Sequence, residues 1–311
     1  MLVVDPGYGY VKAGKDIKNI VMYPSGIQVY THFDEALSVL KRMKNTTGIK
    51  YGDVFYIVGE KTADTVNKNR WKNTEEIGML VASAFGSMNV VSKETEEELV
   101  VLAPIFATEN IVSLEKEIRI TEFLQNVEVF GEDGVLHKLP TVKRVVYYPQ
   151  PYGTVRYFYK VLQEKDRWGA VVIDIGYGTL DVMSFLTLEG EITPEWDRKI
   201  ISEYDTITGH KLEEMLIEQT GYDAKMIRLL ASRGKIQFND KNKRLIKNHL
   251  LSLLSHYETL ADMYAIIITG GGGALLSATY PELTKDLGNM WNMVILGNSR
   301  TLNVQGMFVK I

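Results

Sequence analysis

The sequence predicts an α/β protein of two related domains, each with a mixed sheet covered by helices. Three observations lead to this fold class. An apolar run followed by Asp-x-Gly-Tyr-Gly occurs twice, as LVVDPGYGYVK from residue 2 and as VVIDIGYGTLD from residue 171. The chain has 311 residues, more than one hydrophobic core usually serves. After each motif the same order follows, an antiparallel partner strand and then helices and further strands.

The composition indicates a globular protein without a strong preference for polyanions. Apolar residues make up 45% of the chain, charged residues 24%, and the mean hydropathy is -0.07. A formal charge of -4 gives no net attraction to phosphate backbones, so we expect no direct nucleic-acid binding. The densest basic cluster, Lys241, Lys243, Arg244 and Lys247, is interpreted as a solvated helix face.

Several classes of site and location are excluded or disfavoured by what the sequence lacks. There is no cysteine, which excludes disulfides and thiolate chemistry. No apolar run approaches the roughly 20 residues that span a bilayer, and the first residues have no signal-peptide pattern. We therefore expect a soluble cytoplasmic protein without a membrane span.

The first half is predicted to open with a meander and to close with a strand and a helix. Strands are expected at 2–5, 10–13 and 19–23, with a turn at 6–9. Residues 25–72 are polar and punctuated by glycine, which predicts a small inserted subdomain. The further elements predicted are a capped helix from Asn73 to 88, a strand at 99–106, a helix at 111–124, a hairpin of 127–130 and 136–139, a strand at 142–148 and a helix reaching 164.

The second half is predicted to repeat this order with a larger helical part. Strands at 170–173 and 180–186 flank the second motif. The other elements predicted are helices at 210–220, 224–231 and 240–263, a brief strand at 235–238, a strand at 265–269, a helix from 274, a strand at 293–296 and a helix at 299–309.

Asp-x-Gly-Tyr-Gly suits the binding of a metal-bound phosphate. Two glycines after a strand allow a tight turn with positive φ and leave backbone N–H groups accessible to an anion. An Asp repels phosphate, but it can hold the waters of a Mg²⁺ ion that bridges phosphates. A single copy is also typical of an ordinary hairpin, whereas two copies, one opening each half, favour two loops that face each other across a cleft.

The two copies differ in the residue that follows them. Lys12 comes after the first motif and Asp181 after the second. A lysine there can reach a phosphate as a point charge, and the alternative is an exposed strand lysine.

A third strand-to-glycine junction, Thr269 followed by Gly270, Gly271, Gly272 and Gly273, lets the backbone approach a flat ligand or a phosphate. The chain lacks the G-x-G-x-x-G spacing of dinucleotide folds and the Walker A pattern. It also lacks H-E-x-x-H and G-x-S-x-G, so the five histidines are interpreted as structural or surface residues.

Taken together, these motifs resemble those of the actin, heat-shock chaperone and sugar-kinase superfamily, and most closely the ParM-type and archaeal actin-like ATPases. The order is a first Asp-x-Gly-x-Gly, then Pro-Gln-Pro at 149–151, then Asp-x-Gly-x-Gly-Thr, then Thr-Gly-Gly-Gly. The resemblance implies two ribonuclease H-like domains flanking a nucleotide cleft. The first would comprise 1–149 plus 299–311 with an insertion at about 25–72, and the second 150–298 with a helical insertion at about 210–262.

The resemblance also implies roles for individual residues. The first phosphate loop would consist of Asp5, Gly7, Tyr8, Gly9 and Lys12, and the second of Asp174, Gly176, Tyr177, Gly178 and Thr179. Asp5 and Asp174 would hold Mg²⁺ through water, and Gln150 would orient the attacking water. The resemblance further places Gly270 to Gly273 at the adenosine, Gly209 with Glu213 or Glu214 near the ribose or base, and Asn303 with Gly306 in a hinge helix.

Two departures from the family pattern are visible. Pro6 removes one backbone N–H from the first loop, and the chain is shorter than most filament-forming relatives.

The function that the resemblance implies is an ATPase that uses ATP and Mg²⁺, releases ADP, and polymerises in DNA segregation or cytoskeletal organisation, with a possible DNA-bound adaptor protein. Two alternatives remain open, a small-molecule kinase and a nucleotide switch that does not polymerise.

Overall fold

The first half of the chain forms two five-stranded sheets. A computed structural model describes residues 1–60, 73–91, 96–108, 119–203 and 207–311, and the chain divides into the units Met1–Gln150 and Pro151–Ile311. The strands of the first unit are β1 (Leu2–Pro6), β2 (Tyr10–Gly14), β3 (Ile20–Pro24), β4 (Gly26–Tyr30), β5 (Thr47–Tyr51), β6 (Val54–Glu60), β7 (Glu96–Ala103), β8 (Val127–Phe130), β9 (Leu136–Lys138) and β10 (Thr141–Pro149).

The first sheet has the order β10-β7-β1-β2-β3. Its strands β10, β7 and β1 are parallel, and β2 and β3 are antiparallel to their neighbours. Every residue of β1 is buried, as expected for a central strand covered on both faces. The helices described in this unit are α1 (Phe33–Leu40), α2 (Thr74–Ser87), α3 (Ile105–Thr108) and α4 (Ile120–Gln125).

Helix α2 forms much of the core of the first unit. Asn73 begins it by accepting hydrogen bonds from the backbone N–H groups of Glu75 and Glu76, which otherwise have no partner within the helix. Its residues from Ile77 to Phe85 are buried. The predicted capped start of this helix is confirmed.

The predicted insertion and the predicted hairpin belong to one sheet. Its order is β4-β6-β5-β8-β9, with β5 antiparallel to β8. The β8–β9 hairpin at Gly131 to Gly134 is confirmed. Part of the predicted insertion, 61–72, and most of the helix predicted at 111–124 lie outside the described residues.

The sheet of the second unit repeats the strand arrangement of the first sheet. Its strands are β11 (Gly169–Ile175), β12 (Thr179–Leu188), β13 (Glu191–Glu203), β14 (Tyr264–Thr269) and β15 (Val294–Leu296). The order is β13-β12-β11-β14-β15, with β11, β14 and β15 parallel and β12 and β13 antiparallel. Strands β11, β12, β13, β14 and β15 are thus in the places of β1, β2, β3, β7 and β10. The predicted fold class, with a duplicated mixed sheet, is therefore confirmed.

Helices cover this second sheet and complete its core. They are α5 (Gln150–Glu164), α6 (Gly209–Thr220), α7 (Ala224–Ser232), α8 (Asp240–Leu254), α9 (Gly270–Thr279), α10 (Leu283–Leu287) and α11 (Leu302–Gly306), with a 3-10 turn at Ser255–Leu260. Among the described residues no helix is both long and apolar enough to cross a bilayer.

Four local predictions in the second unit were wrong. Residues 235–238 form no strand, because the Phe238 N–H donates to the carbonyl oxygen of Thr279, the last residue of α9, instead of to a neighbouring strand. The helix predicted at 240–263 ends at Leu254 and tightens into the 3-10 turn. Helix α9 begins at Gly270 instead of 274, and the last helix is limited to Leu302–Gly306.

The last segment of the chain groups with the second unit. Helix α11 lies against α5, where a Cβ built on Gly306 would be 1.6 Å from the carbonyl oxygen of Gly153. A side chain at either glycine would therefore separate the two helices. The predicted membership of 299–311 in the first domain, like the other predicted boundaries, stays a prediction.

Candidate functional site

The first Asp-x-Gly-Tyr-Gly motif places a buried, ion-paired carboxylate at the end of β1. Asp5 is fully buried, and the antiparallel register sets Lys12 of β2 opposite it. Lys12 Nζ lies 2.7 Å from Asp5 Oδ2. Gln150, the first residue of α5, donates from Nε2 to Asp5 Oδ1 over 2.7 Å. Both carboxylate oxygens thus accept a hydrogen bond from a predicted site residue, and we call Asp5, Lys12 and Gln150 with the 7–9 turn the first half-site.

The turn of the first half-site is held by a residue that the motif did not reveal. Ser25, which is buried, donates from Oγ to the carbonyl oxygen of Tyr8 over 2.5 Å, and its N–H donates to Gly9 O. Ser25, which directly follows β3, therefore holds two carbonyl groups of the loop in place. Nothing in the local sequence around Ser25 signals this role, because the contact joins residues 17 positions apart.

The glycines of the motif serve close packing and not left-handed backbone. The prediction of positive φ was wrong for Gly7 and Gly176, because neither glycine has a positive φ angle. A Cβ at Gly7 would lie 2.9 Å from Tyr10 O, and a Cβ at Gly176 would lie 2.9 Å from Thr179 Oγ1. Glycine is required there because the turn closes tightly on itself.

The second motif places two carboxylates opposite each other. Asp174, near the end of β11, is paired in register with Asp181 of β12, and both are buried. The position that Lys12 occupies in the first half-site thus holds a second acid. Asn303 of α11 donates from Nδ2 to Asp174 Oδ2 over 2.9 Å. Asp174 therefore also accepts a carboxamide N–H, from a residue that was predicted only as part of a hinge.

The loop of the second motif contacts the start of α6. Gly209 N–H donates to Gly176 O over 2.7 Å, and His210 N–H donates to Tyr177 O over 3.0 Å. The rings of Tyr177 and His210 lie 5.3 Å apart. Gly178 and Thr179 complete the turn into β12. The predicted second loop and Gly209 are thus brought together.

The glycine run at 270–273 packs onto the same loop. Gly270 has φ +81°, and a Cβ on it would lie 2.3 Å from Asp174 Oδ1. A Cβ on Gly272 would lie 2.2 Å from the side chain of Ile175, and one on Gly273 3.1 Å from the backbone of Ile268. A Cβ on Gly271, by contrast, would meet nothing within 4 Å. We call Asp174, Gly176 to Thr179, Gly209 and Gly270 to Gly273 the second half-site.

The start of α9 has the character of an anion site. Thr269 precedes the helix, and its side chain makes no capping hydrogen bond; its hydroxyl lies 3.1 Å from that of Thr154. The first N–H groups of a helix have no partner within it and carry the positive end of the helix dipole. The open space beside Gly271 leaves room for a ligand at that end.

The structure distinguishes between the two glutamates proposed for the ribose or base. Glu213 is buried and bound by both Nε and Nη2 of Arg228, at 2.5 and 2.8 Å. It lies one helical turn after Gly209, on the same face of α6. Glu214 is exposed and paired with Lys211 at 2.7 Å, a contact that lowers the pKa of the glutamate. The role of Glu213 or Glu214 near the ribose or base stays a prediction.

The donor set suits a cation that brings most of its own ligands. In the described part of the chain, no cluster of three or more His, Asp or Glu side chains forms a protein-built metal site. Mg²⁺ keeps several waters and takes only one or two carboxylates when it binds with phosphates. The Asp174–Asp181 pair provides two buried carboxylates in register, whereas Asp5 lies opposite Lys12 and contacts it. The predicted Mg²⁺ role stays a prediction for both Asp5 and Asp174.

Comparison with known proteins identifies the fold. No family model matches the chain, and neither does any curated protein sequence. Among solved structures, the archaeal actin homolog Ta0583 is 18% identical with a TM-score of 0.66, over 98% of both chains. The ParM protein of psk41 is 17% identical with a TM-score of 0.65, over 98% of this chain and 94% of that one.

A third structure has been determined as an assembly, and one of the first has a bound nucleotide. A 15-stranded ParM filament from Clostridium botulinum is 20% identical with a TM-score of 0.62, over 99% of this chain and 97% of that one. Ta0583 has also been solved in complex with ADP. At these identities the likeness shows the fold, which is actin-like over nearly the whole chain, as the motif order predicted.

Proposed function

We propose that this chain is an actin-like ATPase that binds ATP with Mg²⁺, hydrolyses it to ADP, and assembles into nucleotide-dependent filaments. The observation that supports it most is the duplication of one half-site on an actin-like fold. In each unit a buried Asp ends the first strand, receives a carboxamide N–H, and adjoins a glycine turn. In this proposal each half-site supplies groups for nucleotide binding.

The groups of the first half-site suit the transferred phosphate. Lys12 supplies a fixed positive charge, held in place by Asp5 at 2.7 Å. Gln150 uses its N–H on Asp5, so its carbonyl oxygen remains an acceptor that can orient a water. A carboxamide is not a base, and hydrolysis of a phosphoanhydride needs positioning more than proton removal. Water is therefore the acceptor that we propose.

The groups of the second half-site suit the nucleotide and its metal. Asp174 would hold Mg²⁺ through water, and the bound ion would neutralise phosphate charge. The N–H groups at the start of α9 would face a phosphate, and Glu213 would accept from ribose hydroxyls. The ADP complex of Ta0583 supports a nucleotide as the ligand class.

The ATPase proposal is tested by phosphate release from the purified protein. Wild type should release phosphate from ATP only with Mg²⁺, and Asp174→Ala should lose at least about a hundredfold in rate. Gln150→Ala should lower the rate while leaving ATP affinity within about threefold, since Gln150 acts on the water. Gln163→Ala is the matched control, because this amide of α5 donates to Thr187 O instead. Unchanged turnover in Asp174→Ala would contradict the proposal.

Assembly is a separate part of the proposal and needs its own measurement. The ParM filament of similar fold supports it. Pelleting and electron microscopy with ATP and with ADP should show filaments in one nucleotide state and their loss in the other. Hydrolysis without any pelletable species would instead indicate a nucleotide switch. Phosphate transfer to a sugar or small acid in place of release would indicate a kinase.

The biological setting that we propose is DNA segregation or cytoskeletal organisation. A DNA-bound adaptor protein would link such filaments to their cargo, since the chain itself carries a net charge of -4. Filaments should therefore bind DNA only when that adaptor is present, and co-pelleting of bare DNA would contradict this setting.

A further inference from the structure

Four buried polar side chains of the second unit form one hydrogen-bonded chain that ends on Asp174. Asn303 Nδ2 donates to Asp174 Oδ2 over 2.9 Å, and Thr154 Oγ1 donates to Asn303 Oδ1 over 2.6 Å. The hydroxyls of Thr154 and Thr269 lie 3.1 Å apart. These four residues are between 0 and 7% exposed. The chain joins α5, α11 and the end of β14 to the second half-site.

The direction of every hydrogen bond in this chain is fixed by chemistry. A carboxylate only accepts, so the NH₂ group of Asn303 faces Asp174 and its oxygen faces Thr154. Thr154 has one hydroxyl hydrogen and donates it to Asn303, so Thr269 must be the donor to Thr154. The network is therefore polarised from Thr269 toward Asp174, and it is complete only when Asp174 Oδ2 accepts.

This polarised chain fixes the rotation of the Asp174 carboxylate. Oδ2 is held by Asn303, while Oδ1 lies so close to Gly270 that a Cβ there would be 2.3 Å away. A rotation of the carboxylate would break a buried hydrogen bond and leave Asn303 unsatisfied, at a cost of about 1–3 kcal/mol. Asp174 thus presents one defined face toward the start of α9.

We propose that Asn303 and Thr154 are positioning residues that orient Asp174 for Mg²⁺-dependent nucleotide binding. This inference rests on the proposed function and assigns to the last helix a direct role in the second half-site. The first half-site shows the same device, in which Gln150 donates to Asp5. Asn303 differs from Gln150 in that its own side-chain oxygen accepts a hydrogen bond from Thr154, which in turn is hydrogen-bonded to Thr269.

Isothermal titration calorimetry with ADP, in the presence of Mg²⁺ and of chelator, separates positioning from a structural role. In Asn303→Ala, the gain in ADP affinity caused by Mg²⁺ should fall at least about tenfold, the usual effect of removing such an outer partner. The affinity without Mg²⁺ should stay within about threefold. Val304→Ala is the matched control, since Val304 is buried on the same helix and its apolar side chain cannot hydrogen-bond to the network.

Two variants of Thr154 test the same inference if Asn303→Ala does not fold. Thr154→Val removes the hydroxyl at constant shape and should reduce the Mg²⁺ gain about threefold or more, whereas Thr154→Ser should retain it within about twofold. A full Mg²⁺ gain in Asn303→Ala, or equal weakening with and without Mg²⁺, overturns this inference alone. Wild type that binds no ADP under either condition overturns the proposed function and the inference together.

Discussion

The two half-sites share a scaffold and differ in charge at one position. Each has a buried Asp near the end of a central strand, a glycine turn and a carboxamide donor. The residue opposite the Asp is Lys12 in the first and Asp181 in the second. The formal charge of the pair is zero in one and -2 in the other. In the proposed function, the first copy would serve the phosphate and the second the metal ion.

The largest difference between the half-sites should appear when a methyl group is added to their glycines. Gly270→Ala combines left-handed backbone with a Cβ 2.3 Å from Asp174 Oδ1 and 2.5 Å from Ile175 O. We expect it to lower the free energy of unfolding by about 4 kcal/mol. In Gly7→Ala the new Cβ would lie 2.9 Å from Tyr10 O and at an ordinary contact distance of 3.6 Å from Asp5 Oδ1, so this variant should cost about half as much. Urea denaturation measures both, and equal losses would contradict the difference.

The control for this comparison lies in the same helix. Gly271 is helical, and a Cβ there meets nothing within 4 Å. Gly271→Ala should therefore raise the stability of the nucleotide-free protein by up to about 1 kcal/mol. A large loss of stability would show that the space beside α9 is filled by protein.

The next largest effect should come from the ion pair of the first half-site. Lys12→Met keeps the length of the side chain but leaves Asp5 as a buried carboxylate without its cation. We expect a loss of about 3 kcal/mol in urea denaturation, because breaking a buried pair exposes the full cost of the remaining charge. Lys15→Met, at an exposed lysine after β2, should change stability by less than about 0.5 kcal/mol. Equal stability of Lys12→Met and wild type would show that the Lys12–Asp5 ion pair does not stabilise the first half-site.

The corresponding change in the second half-site should cost less stability than Lys12→Met. Asp181→Asn removes one of two carboxylates that face each other across β11 and β12. Like charges in such positions destabilise a sheet by about 0.2–1 kcal/mol, so relief of this repulsion should offset part of any loss of stability in the nucleotide-free variant. Its affinity for Mg²⁺-ADP should fall, since the negative charge that attracts the cation is halved. A destabilised variant with unchanged Mg²⁺ dependence would show that Asp181 serves packing alone.

The sequence was sufficient for the features that repeat and not for those that join distant segments. The two motifs predicted the duplicated sheet, because an apolar strand and a glycine turn leave a local pattern. The pairing of β5 with β8 leaves no such pattern, since it joins segments some 80 residues apart. The contact of Asn303 with Asp174, at a separation of 129 residues, was invisible for the same reason.

The site was predicted as a set of residue types, and the structure supplied their partners. Gln150 and Asp5 were both predicted, yet the hydrogen bond between them depends on β10 lying two strands from β1. Ser25 and Thr154 carried no signal, because single hydroxyl residues are common in loops and helices. Tight backbone contact, and not positive φ, explains the glycines at Gly7 and Gly176.

The smallest effect should separate two adjacent glutamates of α6. Glu214 is paired with Lys211 on the surface, so Glu214→Gln should change stability by about 0.5 kcal/mol or less. Since the pair lowers the pKa of Glu214 in the folded protein, its contribution is present above the unfolded pKa of about 4.5 and is lost as pH falls through the folded value. Thermal melts at pH 7 and pH 3 should show a small difference from wild type that is smaller at pH 3 than at pH 7. Glu213→Gln should instead weaken ADP binding about tenfold or more, and equal ADP affinities of the two variants would contradict the assignment of Glu213 to the second half-site.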